Sequence, residues 1–108
     1  MSAEILIIDD NSDIREILND LIIEAGYSTR LAANYNQALT EIDKKLPDVA
    51  IIDVKLDKGD NDGIELLNHI KKKNKNVPVI IISGHANIDM AINSLKSGAF
   101  EFIQKPFD

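Results

Sequence analysis

Short runs of β-branched and other apolar residues alternate along this chain with longer stretches in which apolar positions recur every three or four residues. The runs are Ile5–Ile8, Ser28–Ala33, Val49–Ile52, Val79–Ile82 and Phe100–Ile103, and each reads as a strand. Ile14, Ile17, Leu18, Leu21 and Ile22 mark one face of a first helix, which Ser12 can cap and Gly26 stops. A second helix is expected over about residues 35–45, closed by Pro47. After the polar loop Val54–Asp62, a third helix carries Ile64, Leu67 and Ile70 on its apolar face. A fourth carries Ile88, Ala91, Ile92 and Leu95 and stops at Gly98. The order βαβαβαβαβ, with continuously apolar strands, implies an α/β fold: a parallel sheet with helices on both faces. Right-handed crossovers make it a doubly wound sheet.

The length of 108 residues suits one domain, spanning 1–108. Twelve Lys and Arg against 18 Asp and Glu give a net charge of −6. Phosphate backbones repel such a domain, so no direct nucleic-acid contact is expected, and it lacks the basic amphipathic surface of a membrane binder. With no Cys, a disulfide framework, a thiolate zinc site and a Cys nucleophile are excluded. Apolar runs such as Val79–Ile82 fall far short of the ~20 residues that span a bilayer. The first residues, Met1-Ser2-Ala3-Glu4, show no secretory pattern, so a cytoplasmic location is expected.

In an open α/β sheet, ligands bind beyond the carboxyl ends of the strands. Asp9 and Asp10 follow the first strand, Asp53 the third, Ser83 the fourth and Lys105 the fifth. Taken singly, each has an ordinary reading as a cap, a turn residue or a solvated charge. Taken together, they form one site. Carboxylates held close need a compensating cation, and oxygen donors without His or Cys favour a hard ion such as Mg²⁺. A carboxylate beside a divalent ion, an ammonium and a hydroxyl can act as a nucleophile and carry a phosphoryl group.

These residues carry a resemblance. Ile-Ile-Asp9-Asp10, Ile-Ile-Asp53-Val, Asp62-Gly63-Ile-Glu-Leu-Leu, Ile-Ile-Ser83-Gly84 and Phe102-Ile-Gln-Lys105-Pro106-Phe107 are similar to the motifs of the receiver domain of bacterial two-component response regulators. The match covers nearly the whole chain. It implies a flavodoxin-like five-stranded sheet in the order 2-1-3-4-5, phosphorylated by a sensor histidine kinase. The resemblance implies that Asp53 is the phosphoacceptor. Asp9, Asp10 and Asp53 would hold Mg²⁺ with the main-chain carbonyl of Lys55. Ser83 would be the switch hydroxyl, Lys105 the phosphoryl-pairing lysine and Phe102 the switch aromatic, with a cis peptide between Lys105 and Pro106. More narrowly, Ser83-Gly84-His85-Ala-Asn87-Ile and Ala99-Phe-Glu-Phe-Ile-Gln-Lys105-Pro-Phe resemble the NtrX/NtrC group, as does the long Lys55–Asp62 loop. Lys55 and His85 occupy flanking positions that tune dephosphorylation in the family. Members of that group carry an AAA+ ATPase and a DNA-binding output domain, absent from this chain, and regulate transcription. Receivers continue into a fifth helix, missing here, so exposed apolar residues on the sheet or first helix, and self-association through them, are expected.

Two rivals are weighed against this reading. An aspartyl-phosphate phosphatase needs D-x-D on the first strand, whereas here the acids are adjacent and position 11 is Asn. A receiver that serves only for docking or dimerisation would not need the acidic pair, Asp53, Ser83 and Lys105. An EF-hand aligned on Gly63 has Lys58 and His69 where carboxylates are required. No P-loop, dinucleotide fingerprint or G-x-S-x-G elbow occurs. Lys71-Lys72-Lys73 complements a helix dipole, and His69 and His85 are isolated.

Overall fold

The computed structural model describes residues 3–84 and 88–105. Among the described residues, nine elements follow one another: β1 (Glu4–Ile8), α1 (Ser12–Glu24), β2 (Ser28–Ala32), α2 (Tyr35–Lys44), β3 (Val49–Asp53), α3 (Asp62–Lys73), β4 (Val79–Ser83), α4 (Ile88–Lys96) and β5 (Glu101–Gln104). The five strands are parallel and ordered β2-β1-β3-β4-β5. This is the doubly wound sheet that the alternating pattern implies, with the strand order expected from the resemblance.

Side chains alternate across a sheet, so each strand feeds two faces. Leu6, Ile8, Ala50, Ile52, Val79 and Ile81 pack in one core with Ala38 and Ile42 of α2 and Leu66, Leu67 and Ile70 of α3. Ile5, Ile7 and Ile82 are buried outside that cluster. Against β1 and β2 lies α1, but none of its residues is fully buried, and Ile17 and Leu21 are 49% and 57% exposed. On α4, Ile88, Ile92 and Leu95 are likewise exposed, and the buried residue is Ser94. The apolar stripes of α1 and α4 therefore form as periodicity predicts, while much of their surface stays open to solvent. Among the described residues, no helix is long and apolar enough to cross a membrane.

Several boundaries differ by a residue from those expected, and three of the differences bear on the site or the surface. The cap of α1 is Asn11, whose side chain accepts the N–H groups of Asp13 and Ile14, and Ser12 is already helical. β3 extends through Asp53, which pairs with Ile82, so the carboxylate belongs to the strand itself. β5 starts one residue late: Phe100 donates its N–H to the Val79 carbonyl, but its ring points outward and is 72% exposed. Gly26 and Gly98 take φ of 100° and 104° where α1 and α4 end, a conformation that costs glycine little.

Candidate functional site

Strand register brings the chemistry together. Ile8 of β1 pairs with Ile52 of β3, so Asp9 and Asp53 are neighbours one step further along. Asp53 pairs with Ile82, which sets Ser83 one step beyond, and Ser83 pairs with Gln104, the residue before Lys105. The Lys105 backbone N–H donates to the Ser83 carbonyl at 2.7 Å and ties these two ends.

Carboxylate oxygens of Asp9, Asp10 and Asp53 lie within 4.8 Å of one another. Asp9 and Asp53 are buried and Asp10 is exposed. The Lys105 ammonium bridges the buried pair, 3.0 Å from Asp9 Oδ2 and 3.4 Å from Asp53 Oδ2. Asp9 also accepts the Asn11 N–H at 2.9 Å, and its main-chain carbonyl accepts from Arg15. These contacts fix the first acid at the turn into α1.

Electrostatics follow from this crowding. Burial, then the charge of Asp9, push the Asp53 carboxyl up to about 6, against the pull of Lys105. Burial works against the charge of Lys105, but its hydrogen bond to Asp9 and the charges of Asp53 and Asp9 prevail, so its pKa is raised. The ammonium is thus firmly charged, while Asp53 is ionised at a cost. An all-oxygen donor set with surplus negative charge fits a hard divalent ion. Asp9, Asp10 and Asp53 are the side chains that would hold it.

A cleft of about 410 Å³ opens over these groups, lined also by Val54, Lys55, Asp60, Ser83 and Met90. Lys55 borders it, and its side chain reaches Asp60 at 3.6 Å. Ser83 is buried, and its hydroxyl donates to the Met90 sulfur at 3.7 Å. Phe102 is half-buried against the core. His85, Asn87, Pro106 and Phe107 lie outside the described residues, as does the expected Lys105–Pro106 peptide geometry.

The long β3–α3 loop is ordered by residues to which the sequence reading gave no role in the site. Asp62 is buried, and its Oδ2 accepts the N–H groups of Lys58 and Gly59. Asp57 accepts the Tyr35 N–H and fastens the loop to the start of α2. Gly63 donates to the Val54 carbonyl, and a Cβ there would stand 2.5 Å from the Asp53 carbonyl oxygen. The acid-glycine pair was visible as a motif, but nothing in a loop with acids at 57, 60 and 62 singles out the one that turns inward.

Comparison with known proteins agrees with this geometry. The family model for the response regulator receiver domain matches residues 5–108. The nitrogen assimilation regulatory protein NtrX of Azorhizobium caulinodans is 42% identical over 108 residues, covering all of this chain and 24% of that protein. The crystal structure of NtrX from Brucella abortus superposes with a TM-score of 0.89 at 39% identity, over 100% of this chain and 24% of that one. A response regulator from Burkholderia pseudomallei, solved with a phosphorylated aspartic acid, a calcium ion and citrate, gives 0.88 at 25% identity, over 99% of this chain and 62% of that one. The chain spans about a quarter of the length of the first of these relatives. Sequence motifs, strand order and the acidic pocket converge: the chain belongs to the response regulator receiver family of two-component signalling systems, related to NtrX and NtrC.

Proposed function

We propose that Asp53 is the phosphoacceptor of a signalling switch. The observation that carries this reading is the Lys105 ammonium bridging Asp9 and Asp53 at the rim of the cleft. A carboxylate oxygen of Asp53 attacks the phosphorus of a phosphohistidine on a sensor histidine kinase. The new O–P bond replaces the P–N bond, and the imidazole leaves and takes up a proton. Lys105 neutralises charge on the transferred oxygens, and Asp9 and Asp10 keep the site selective for a cation. Mg²⁺, held by Asp9, Asp10, Asp53 and the Lys55 carbonyl, supplies further charge neutralisation when bound.

The phosphoryl group then offers acceptors to the Ser83 hydroxyl. That differential contact shifts a two-state equilibrium, with Phe102 turning inward as the Ser83 segment moves. The whole of 1–108 acts as this receiver. It controls an output domain, AAA+ and DNA-binding in character and outside this sequence, and so transcription in the cytoplasm. The solved relative with a phosphorylated aspartic acid supports the chemistry. A phosphatase is disfavoured because Asn11, where a second catalytic acid would be needed, is engaged in capping α1. The exposed Ile17 and Leu21 support self-association.

Incubation with acetyl phosphate and Mg²⁺ is expected to add one phosphoryl group by intact mass. Asp53→Asn is expected to abolish the addition, and an unchanged yield in that variant refutes the assignment.

A further inference from the structure

The Ser83 hydroxyl is held from a direction that the phosphoacceptor chemistry does not require. Met90, the third residue of α4, places its sulfur 3.7 Å from Ser83 Oγ and lines the same cleft as Asp53 and Lys105. A thioether has no proton to give, so in this contact Ser83 is the donor. The hydroxyl carries one proton. Donated to the Met90 sulfur, it is not available to an oxygen on Asp53, so the two contacts exclude each other.

We infer that Met90 is a positioning residue for the switch: its sulfur, 3.7 Å from the Ser83 hydroxyl, holds that hydroxyl in the resting orientation and sets how readily the site accepts a phosphoryl group. This inference rests on the reading of Asp53 as the acceptor. A sulfur acceptor is weak, whereas a charged phosphoryl oxygen is strong. The hold therefore yields when Asp53 is modified, but it must be broken each time, and its strength enters the equilibrium directly. The contact also joins the end of β4 to α4. The Met90 carbonyl accepts from Ser94 Oγ at 2.9 Å within that helix, and the helix exposes Ile88, Ile92 and Leu95. Release of Ser83 from Met90 is thus felt by an element with an open apolar face.

The test is titration of the 108-residue chain with beryllofluoride and Mg²⁺, followed by ¹⁹F NMR of the bound species. Met90→Leu keeps the volume and removes the acceptor. Loss of a weak neutral hydrogen bond from the resting state predicts beryllofluoride binding about two- to five-fold tighter than wild type. Met90→Gln, with a stronger acceptor at similar length, is expected to bind more weakly than wild type. In a Ser83→Ala background, Met90→Leu is expected to change nothing further, because the contact is already gone. A Met90→Leu chain that binds no tighter than wild type overturns the inference. So does an equal gain in the Ser83→Ala background, which would mark Met90 as a packing residue. Absence of beryllofluoride binding by wild type would instead bring down the acceptor reading, and the inference with it.

Discussion

Replacing Asp53 by Asn is expected to stabilise the fold while destroying its chemistry. The ionised Asp53 is buried beside Asp9 and Asp10, and Lys105 offsets only part of the cost. Its carboxyl is pushed from 3.8 to about 6. One pKa unit corresponds to about 1.4 kcal/mol, so a shift of roughly two units amounts to on the order of 3 kcal/mol near pH 8. Between the unfolded and folded values, the folded chain binds more protons than the unfolded one. The stability that protonation supplies is fully present below 3.8 and is lost as pH rises through about 6. An Asn amide has no charge to lose and can still accept from Lys105. The Asp53→Asn chain should therefore be more stable than wild type by up to about 3 kcal/mol at pH 8 without divalent ions, by about half of that at pH 5, and by little at pH 3.

Urea unfolding followed by circular dichroism at those three pH values measures this directly. In thermal melts, the pH 8 difference corresponds to about 13 °C for a chain of this size. Millimolar Mg²⁺ should raise the wild type more than the variant, because the ion relieves a repulsion that the variant lacks. A variant less stable than wild type at pH 8, or an advantage independent of pH, would refute the picture of a strained acidic cluster.

Three further outcomes follow from the geometry. Gly63→Ala forces a methyl group against the Asp53 main chain, and urea unfolding should show a loss of about 3 kcal/mol, at the upper end for overpacking because backbone cannot step aside. Asp62→Ala removes the acceptor for two backbone N–H groups, so the amides of Lys58 and Gly59 should exchange hydrogen at least ten-fold faster while those of β1 keep their protection, with a stability loss of at least about 3 kcal/mol. Light scattering over a range of concentrations should show a rising mass that Leu21→Glu lowers, and a monomer at every concentration would remove self-association.

The strands and the five polar groups at their ends were legible because both signals are local. An apolar run followed at once by Asp, Ser or Lys marks a strand and the edge it points to, and a parallel sheet then gathers those edges. Burial was less legible. The stripe at Ile14, Ile17, Leu18, Leu21 and Ile22 is the signature of a helix with an apolar face, and it is silent on whether that face is covered. Asp62 and Met90 were missed for a different reason. Asp62 resembles its acidic neighbours until the loop closes on its carboxylate, and Met90 falls between the positions of the apolar repeat on α4, where a flexible side chain reads as neutral filler. Both residues act through partners fixed only by tertiary packing.

The relative strengths of these contacts decide which side of the site yields. On the β3–α3 side, the carboxylate of Asp62 holds two backbone N–H groups, each such charge-assisted bond worth about 1.5–3 kcal/mol, and Gly63 is pressed onto the Asp53 main chain with no room to slide. On the β4–α4 side, the Ser83 hydroxyl meets a thioether, at or below the weak end of neutral hydrogen bonds. Lys105 joins the two sides, through its ammonium to Asp9 and Asp53 and through its backbone N–H to the Ser83 carbonyl. A new charged group on Asp53 would compete for that ammonium and that hydroxyl at once. A displacement of Ser83 would be passed through its contact with Met90 to α4 and its exposed Ile88, Ile92 and Leu95, whereas the apolar side chains of α3 are locked in the core beside the braced loop.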